Sequence, residues 1–357
     1  MKYWLGYLVA AILGACTWGL RAFSRAHTKL VDLIYPYVTR MMQSNLADWS
    51  SGVSYSVWQV LLYCGIILLL TLVVVMIVRH WNPIRVAGWV LTVISVIFLT
   101  HTLLYGLNEF AGPLSEDLRM KTVDYAYSVE ELEKAATYYR DQANALANKV
   151  DREGSDLKDG DFDTLAAQAA NGFTHLVEEE GFSVFAGSML PVKQMTGAVN
   201  GVMGETVPLT GEAAVNPNQP MTVLPFAMCR EMARRMCIAI DRDADFAAYL
   251  ACVSNDSADF QYAGYVMAYR ACLEALEDAG SGNLSQITAG ENGNLQLDMK
   301  AHDKYFGWSS EVDEELCDVL VCWHIETQIL PTIEEDDKRF DPLDKSQVDL
   351  SGIVNAR

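Results

Sequence analysis

"CREMARRMCIAIDRDADFAAYLACV", residues 229–253, reads as two helices joined by a short turn, with apolar positions at helical spacing on either side. In a helix over about 222–238, Phe226, Arg230, Ala233, Arg234 and Cys237 share one stripe, the one expected to face inward, and Arg235 points elsewhere. Two imidazoles at positions 230 and 234, flanking Glu231, would give the His-Glu-x-x-His spacing that holds zinc on one helix face with a glutamate beside its bound water. This helix has the spacing and the glutamate but arginine at both ligand positions. A guanidinium stays protonated and has no lone pair for a metal.

A guanidinium buried without a partner is strongly disfavoured. In a second helix over about 241–254, Asp243, Phe246, Ala247 and Leu250 share a stripe, with Asp245 on the opposite side. The spacing therefore predicts an ion pair between Asp243 and Arg230 or Arg234, bidentate where geometry permits. The alternative is that both arginine stems snorkel to solvent.

The charge is unevenly spread. Residues 1–106 carry seven Lys and Arg against two acids, Asp32 and Asp48, whereas the remainder carries 19 basic and 44 acidic residues. So acidic a body does not suit nucleic acid, whose binding rests on neutralising phosphates. Uncharged apolar runs in the first part predict three transmembrane helices, at about 3–20, 57–78 and 86–106. Leu13-Gly14-Ala15-Cys16 resembles a lipoprotein cleavage box, but a basic region of Lys2 alone and two further spans favour an uncleaved helix. Residues 1–106 thus form a multi-pass membrane region with the lipid bilayer as partner, and 21–54 reads as a loop between spans. Arg79 and Arg85 in the short turn place that turn in the cytoplasm and the acidic domain outside it. Arg21, Arg25, Lys29 and Arg40 argue the reverse, and the balance favours an external domain.

Beyond the membrane, Ser128 and Glu131 have capping-box spacing ahead of a helix to about Val150. The 151–163 segment reads as a polar loop without calcium-ligand spacing, and Asp163 as the cap of a helix to Glu179. Glycines and prolines break 181–220 into irregular loops with one or two short strands. Helices are expected again over about 222–238, 241–254, 258–278 and 311–329, with a flexible connection at 280–296. The tail, 331–357, is acidic and polar. Cys317, Cys322 and His324 sit close in sequence without a usual zinc spacing.

The pieces "PLTGEAAVNPNQPMTVLPFAMCREMARRM", "DADFAAYLACVSND" and "FQYAGYVMAYRACLEAL" occur in order at a spacing that resembles a group of bacterial membrane proteins, domain of unknown function 3810. The resemblance runs from "YPYVTRMM" to about Leu276. It implies a mainly α fold: three N-terminal transmembrane helices, then a helical zincin-like domain at 107–330 with a small irregular β portion. It also implies His at positions 230 and 234, Glu at 231 as general base, and a Glu-Ala-Asn triplet where this chain has Asp243-Ala244-Asp245. The residue at 243 would be the third zinc ligand. On this reading zinc belongs to the related family and is absent here, leaving Glu231 a vestigial base among the former metal-site positions Arg230, Arg234 and Asp243. Glu212, in "TGEAAVN", either lines the cleft or caps a neighbouring element. Tyr262 and Tyr265, in "YAGY", are candidate cleft hydroxyls, with packing as their ordinary role.

The expected function is a membrane-anchored, catalytically inactive pseudopeptidase that binds a peptide or protein partner. One rival is an active membrane metallohydrolase that recruits Cys229 and one of His175, His302 or His324 to Glu231 or Asp243. The other is a purely structural membrane scaffold.

Overall fold

Four long helices come first in the computed structural model, which describes residues 4–53, 55–122, 126–154, 156–197, 201–306 and 315–331. Helices α1 (Leu5–Ala26), α3 (Val57–Val78) and α4 (Pro83–Leu104) are long and apolar enough to cross a membrane. Each has 22 residues, a length of about 33 Å that matches a hydrocarbon core of about 30 Å. The first begins and ends later than the apolar run suggested, and the third begins at Pro83, where Asn82 caps Ile84 and Arg85 N–H. Pairing of α1 with α4 rests on small residues: a Cβ at Gly6 would come within 2.6 Å of the Gly88 carbonyl carbon, and Thr92 Oγ1 donates to Gly6 O at 2.9 Å. In contrast, α3 buries no residue against the rest of the chain.

The expected loop at 21–54 is instead mostly helical, with the end of α1 followed by α2 (Thr28–Ser51). No apolar run marks α2, and Pro36 lies inside it. Its signal is the spacing of Leu30, Leu33, Ile34, Tyr37 and Met41, one side of a helix.

After a 3₁₀ turn (Gly106–Phe110) and the short α5 (Leu114–Asp117), the remaining helices build one apolar core. The Ser128–Glu131 capping box starts α6 (Val129–Ala147) as expected. The polar loop contains a small hairpin of β1 (Arg152–Glu153) and β2 (Asp156–Leu157). Asp161, not Asp163, caps α7 (Phe162–Glu178), because its carboxylate accepts both Thr164 N–H and Thr164 Oγ1. Then come β3 (Lys193–Gln194), β4 (Gly204–Val207) and β5 (Glu212–Val215), in the order β3-β5-β4. The central β5 runs parallel to β3 and antiparallel to β4, with Glu205 opposite Ala214.

The two helices of the opening stretch are α8 (Leu224–Arg235) and α9 (Asp241–Val253), and α10 (Ala258–Asp278) follows. The expected flexible connection at 280–296 contains α11 (Leu284–Thr288) and the start of α12 (Gly293–Phe306). Asn283 and Asn292 flank α11, and their polar character hid short helices held by tertiary contacts. The last helix is α13 (Leu316–His324), continued by a π-helical turn over Ile325–Ile329. The start of the expected 311–329 helix and nearly all of the acidic tail lie outside the described residues. The protein is thus mainly helical with a few short strands.

Close approach of backbones positions the core. A Cβ at Gly172 on α7 would lie 1.8 Å from the Ala251 carbonyl oxygen on α9, so no side chain fits between these helices. Gly172→Ala must push them apart, and an overpacked core of this kind costs about 1–3 kcal/mol. Thermal unfolding should show a clear fall in Tm for Gly172→Ala and little change for Gly282→Ala, where a Cβ meets open space. Equal Tm values would show that α7 and α9 are not packed this closely.

Candidate functional site

Pro225 in its first turn starts α8, where a missing N–H costs nothing. The end is a Schellman arrangement: Cys237 N–H bonds to Arg234 O at 2.9 Å and Ile238 N–H to Ala233 O at 3.2 Å. Cys237 has φ 71°, the left-handed conformation such an ending needs and usually gives to glycine. This sharp stop turns the chain so that α9 packs back against α8, with both helices buried along most of their length.

Arg230 lies at the centre. Its Nε donates to Asp245 Oδ1, its Nη1 lies 3.4 Å from Glu231 Oε1, and its Nη2 lies 3.6 Å from Asp241 Oδ1. Arg234 Nη1 pairs with the same Asp241 oxygen. Two guanidinium groups and three carboxylates therefore form one connected network across the α8–α9 corner. Burial opposes the charge of Arg230, but the attraction of Asp245 and Glu231 outweighs it and raises its pKa. The same contest raises Arg234, with Tyr105 and Glu231 as the leading attractions. Tyr105 stands just past the end of α4, and its Oη donates to Ile238 O at 3.5 Å beside the end of α8.

Glu231 is 1% exposed. Thr206 Oγ1, on β4, lies 2.8 Å from Glu231 Oε2 and 3.0 Å from the Glu231 carbonyl oxygen. Gly204 on the same strand allows this approach, because a Cβ there would come within 2.6 Å of Glu231 Cγ. Beside it, Glu205 has its pKa raised by burial and by the neighbouring Glu231 charge. Arg234 and Asp241 are the members of the network that reach solvent furthest, with side chains 25% and 52% exposed.

Asp243 is not the partner of either arginine. It accepts Leu114 N–H at 2.9 Å and Arg242 Nε at 3.1 Å, and so ties α5 to the start of α9. Its expected role falls to Asp245, which the stripe had placed on the opposite side. The stripe misled because α9 is buried from Asp243 to Cys252 on every face, so apolar neighbours do not mark one inward direction. Arg235, off that inward stripe of α8, is buried as well: it is 3% exposed and donates through Nη2 to the carbonyl oxygens of Ser188 and Leu190. Burial among neutral acceptors pushes its pKa down to about 10.

The other candidates lie in separate places. Glu212 caps an apolar helix: its carboxylate accepts Val57 N–H at 2.8 Å and Trp58 N–H at 2.7 Å at the start of α3, and Lys193 Nζ pairs with it at 2.6 Å. Burial opposes that charge, and the Lys193 and backbone contacts more than offset it, leaving the Glu212 pKa lowered. Tyr262 donates to Asp298 at 2.5 Å, within a buried pair of Asp298 and Arg152. Tyr265 packs edge-on against Tyr138 and Tyr249. Of the residues a rival metal site would recruit, Cys229 is buried beside Ala169 O. His175 lies against Glu179 and Asp256, His302 against Phe306, and His324 against Tyr138. Among the described residues no three of His, Cys, Asp and Glu come together as a metal-holding group.

Residues 31–318 match the family described as protein of unknown function, DUF3810. The chain belongs to that family. No curated protein and no solved structure matches it. In this DUF3810 chain, Asp241, Asp245 and Thr206 are the network members that sequence reasoning missed. The helix-start bias of acids toward the first turn pointed to Asp241. Thr206 reaches the network only through the fold.

Removing one partner of a buried pair leaves the other charge uncompensated, at a cost of about 3–5 kcal/mol. Asp245→Asn should therefore lower the Tm far more than Asp256→Asn, whose side chain is 78% exposed. Equal, small shifts would mean that Arg230 finds solvent without Asp245.

Proposed function

We propose that this DUF3810 chain is a membrane-anchored, zincin-like pseudopeptidase, which holds a peptide or protein partner without cleaving it. The observation that carries this reading is Arg230, a cation bound between Asp245, Glu231 and Asp241, at a position where the resemblance implies a metal-ligating imidazole. Positive charge is thereby supplied without a Lewis acid, and Glu231 has a threonine hydroxyl and a guanidinium as its neighbours. Activating a water requires a base that water can reach, and burial of Glu231 opposes that. The resemblance adds support: it implies Asn at position 245, where this chain has the aspartate that neutralises Arg230. Loss of two imidazoles is matched by gain of a carboxylate, as expected of a site rebuilt around charge rather than simply decayed.

Both arginines have carboxylate partners, so a partner molecule is not met by a free guanidinium deep in the domain. Two features are placed to meet one: the Arg234–Asp241 pair at the solvent side, and β4, an edge strand whose first three residues are half-buried. An edge strand accepts an extended peptide through main-chain hydrogen bonds. We also place the domain outside the cytoplasm, since Arg79 and Arg85 lie at the end of the spans opposite to it. A structural scaffold is the second reading, favoured by the burial of Arg230, Glu231 and Asp245.

Chain purified in detergent without chelator should hold far less than one zinc per molecule by elemental analysis and should leave a peptide library uncut. Stoichiometric zinc that survives dialysis, or hydrolysis that Glu231→Gln abolishes, contradicts the pseudopeptidase reading. On a peptide array the same chain should bind in a sequence-dependent way that Arg234→Ala weakens. No binding at all would favour the scaffold.

A further inference from the structure

α2 passes the domain-side end of each apolar span. It follows α1 directly at His27. At the last turn of α4, Tyr35 Oη donates to Thr102 O at 2.6 Å and Gln43 Nε2 to Leu104 O at 3.3 Å. Further along, Ala47 lies against Gly211, where a Cβ would come within 2.5 Å of the Ala47 nitrogen. Gly211 adjoins Glu212, which caps the start of α3. From Tyr35 to Gln43 the axis of α2 advances about 12 Å, whereas the two acceptors on α4 are about 3 Å apart along its axis. The helix therefore lies across the end of α4, not alongside it. A helix laid across the ends of three spans runs along the membrane surface.

Its burial is inverted relative to a helix on the surface of a soluble domain. Three of its five buried residues are polar, Thr39, Gln43 and Ser50, beside Val31 and Ala47, and Gln43 also donates to Pro208 O at 3.0 Å. Apolar residues face outward. Leu30, Leu33, Ile34, Tyr37 and Met41 fall within an arc of about 100°. Leu33, at one edge of that arc, and Tyr37, near its centre, are 76% and 77% exposed. An outer stripe of that kind in water would be an aggregation liability. Here it adjoins the equally apolar outer surfaces of α1, α3 and α4, so the medium that covers those spans continues onto α2.

We propose that α2 is an interfacial helix, with its Leu33–Tyr37–Met41 face sunk into the glycerol and upper acyl-chain layer of the domain-side leaflet. Only the spanning of a bilayer by the three apolar helices is required, so the inference stands or falls apart from the pseudopeptidase reading. The contacts on its inner face then acquire a purpose. Arg40 Nε donates to the carbonyl oxygen of Met236, the residue that ends α8, at 3.2 Å. The last turn of the arginine-bearing helix is thus held to an element lying in the membrane surface, one side chain away.

The test uses the full chain with Cys16→Ser and Cys64→Ser, since the six other cysteines are buried. Single cysteines are introduced as Leu33→Cys, Tyr37→Cys or Met41→Cys, labelled with a fluorophore and reconstituted in phosphatidylcholine–phosphatidylglycerol nanodiscs. Glu153→Cys, on the exposed hairpin, reports the aqueous environment. At the three α2 positions, a nitroxide near the lipid headgroup should quench more than one deep in the acyl chain, and iodide should quench several-fold less than at Glu153→Cys. Iodide quenching equal to that control would place the stripe in water. Stronger quenching by the deep nitroxide would make α2 a span, and protection from all three quenchers would show a protein covering it. Any of these overturns the proposal.

Discussion

The ion pair between Arg230 on α8 and Asp245 on α9 joins two helices that are otherwise packed through apolar side chains and methyl-sized contacts. A guanidinium in such surroundings has few solutions, since its desolvation is offset only by partners of good geometry. Asp245 supplies one, Glu231 and Asp241 the others, and Thr206 fixes Glu231 from the strand side. The helix corner, the glycine at 204 and the left-handed Cys237 are arranged around that need. What in a metal site would be neutral donors around a cation is here a cation built into the chain itself. Such a network confers a defined geometry more readily than it confers stability.

The same domain is fastened to the first four helices through polar contacts. Glu212 closes the start of α3 by accepting two backbone N–H groups that the first turn of a helix leaves unpaired. Asn108 and Thr39 bond each other at 3.2 Å between the 3₁₀ turn and α2, and Asp32 accepts Gly112 N–H at 2.8 Å. Together with the Arg40–Met236 contact, they tie the end of the site helix and the sheet to the ends of the apolar helices.

Much of this was legible in the sequence, and the failures have physical causes. The three apolar helices announced themselves by length and lack of charge, α6 by its capping box, and the α8–α9 pair by spacing. Arg230 was placed inward correctly because a helix period constrains which residues share a face. Asp243 and Asp245 were exchanged because a helix buried on all sides gives no polar face against which to read direction. The helix α2 was missed because its apolar residues form a stripe rather than a run, with charges between them. Glu212 was marked as a candidate, yet nothing local tells that its partners lie some 155 residues earlier in the chain. Long-range polar contacts of that kind belong to topology, which one sequence does not state.

The claim that a built-in cation organises this corner is tested most directly by a double-mutant cycle on Arg230 and Asp245. Stabilities of wild type, Arg230→Met, Asp245→Leu and the double variant would be measured by thermal and denaturant unfolding. If the two charges are paired in the interior, each single variant strands the other charge, and the double variant should be more stable than either. The coupling is then expected at about 1–3 kcal/mol. Additive losses, with no coupling beyond error, would mean that the two side chains do not depend on each other and that the corner is held by its apolar packing alone.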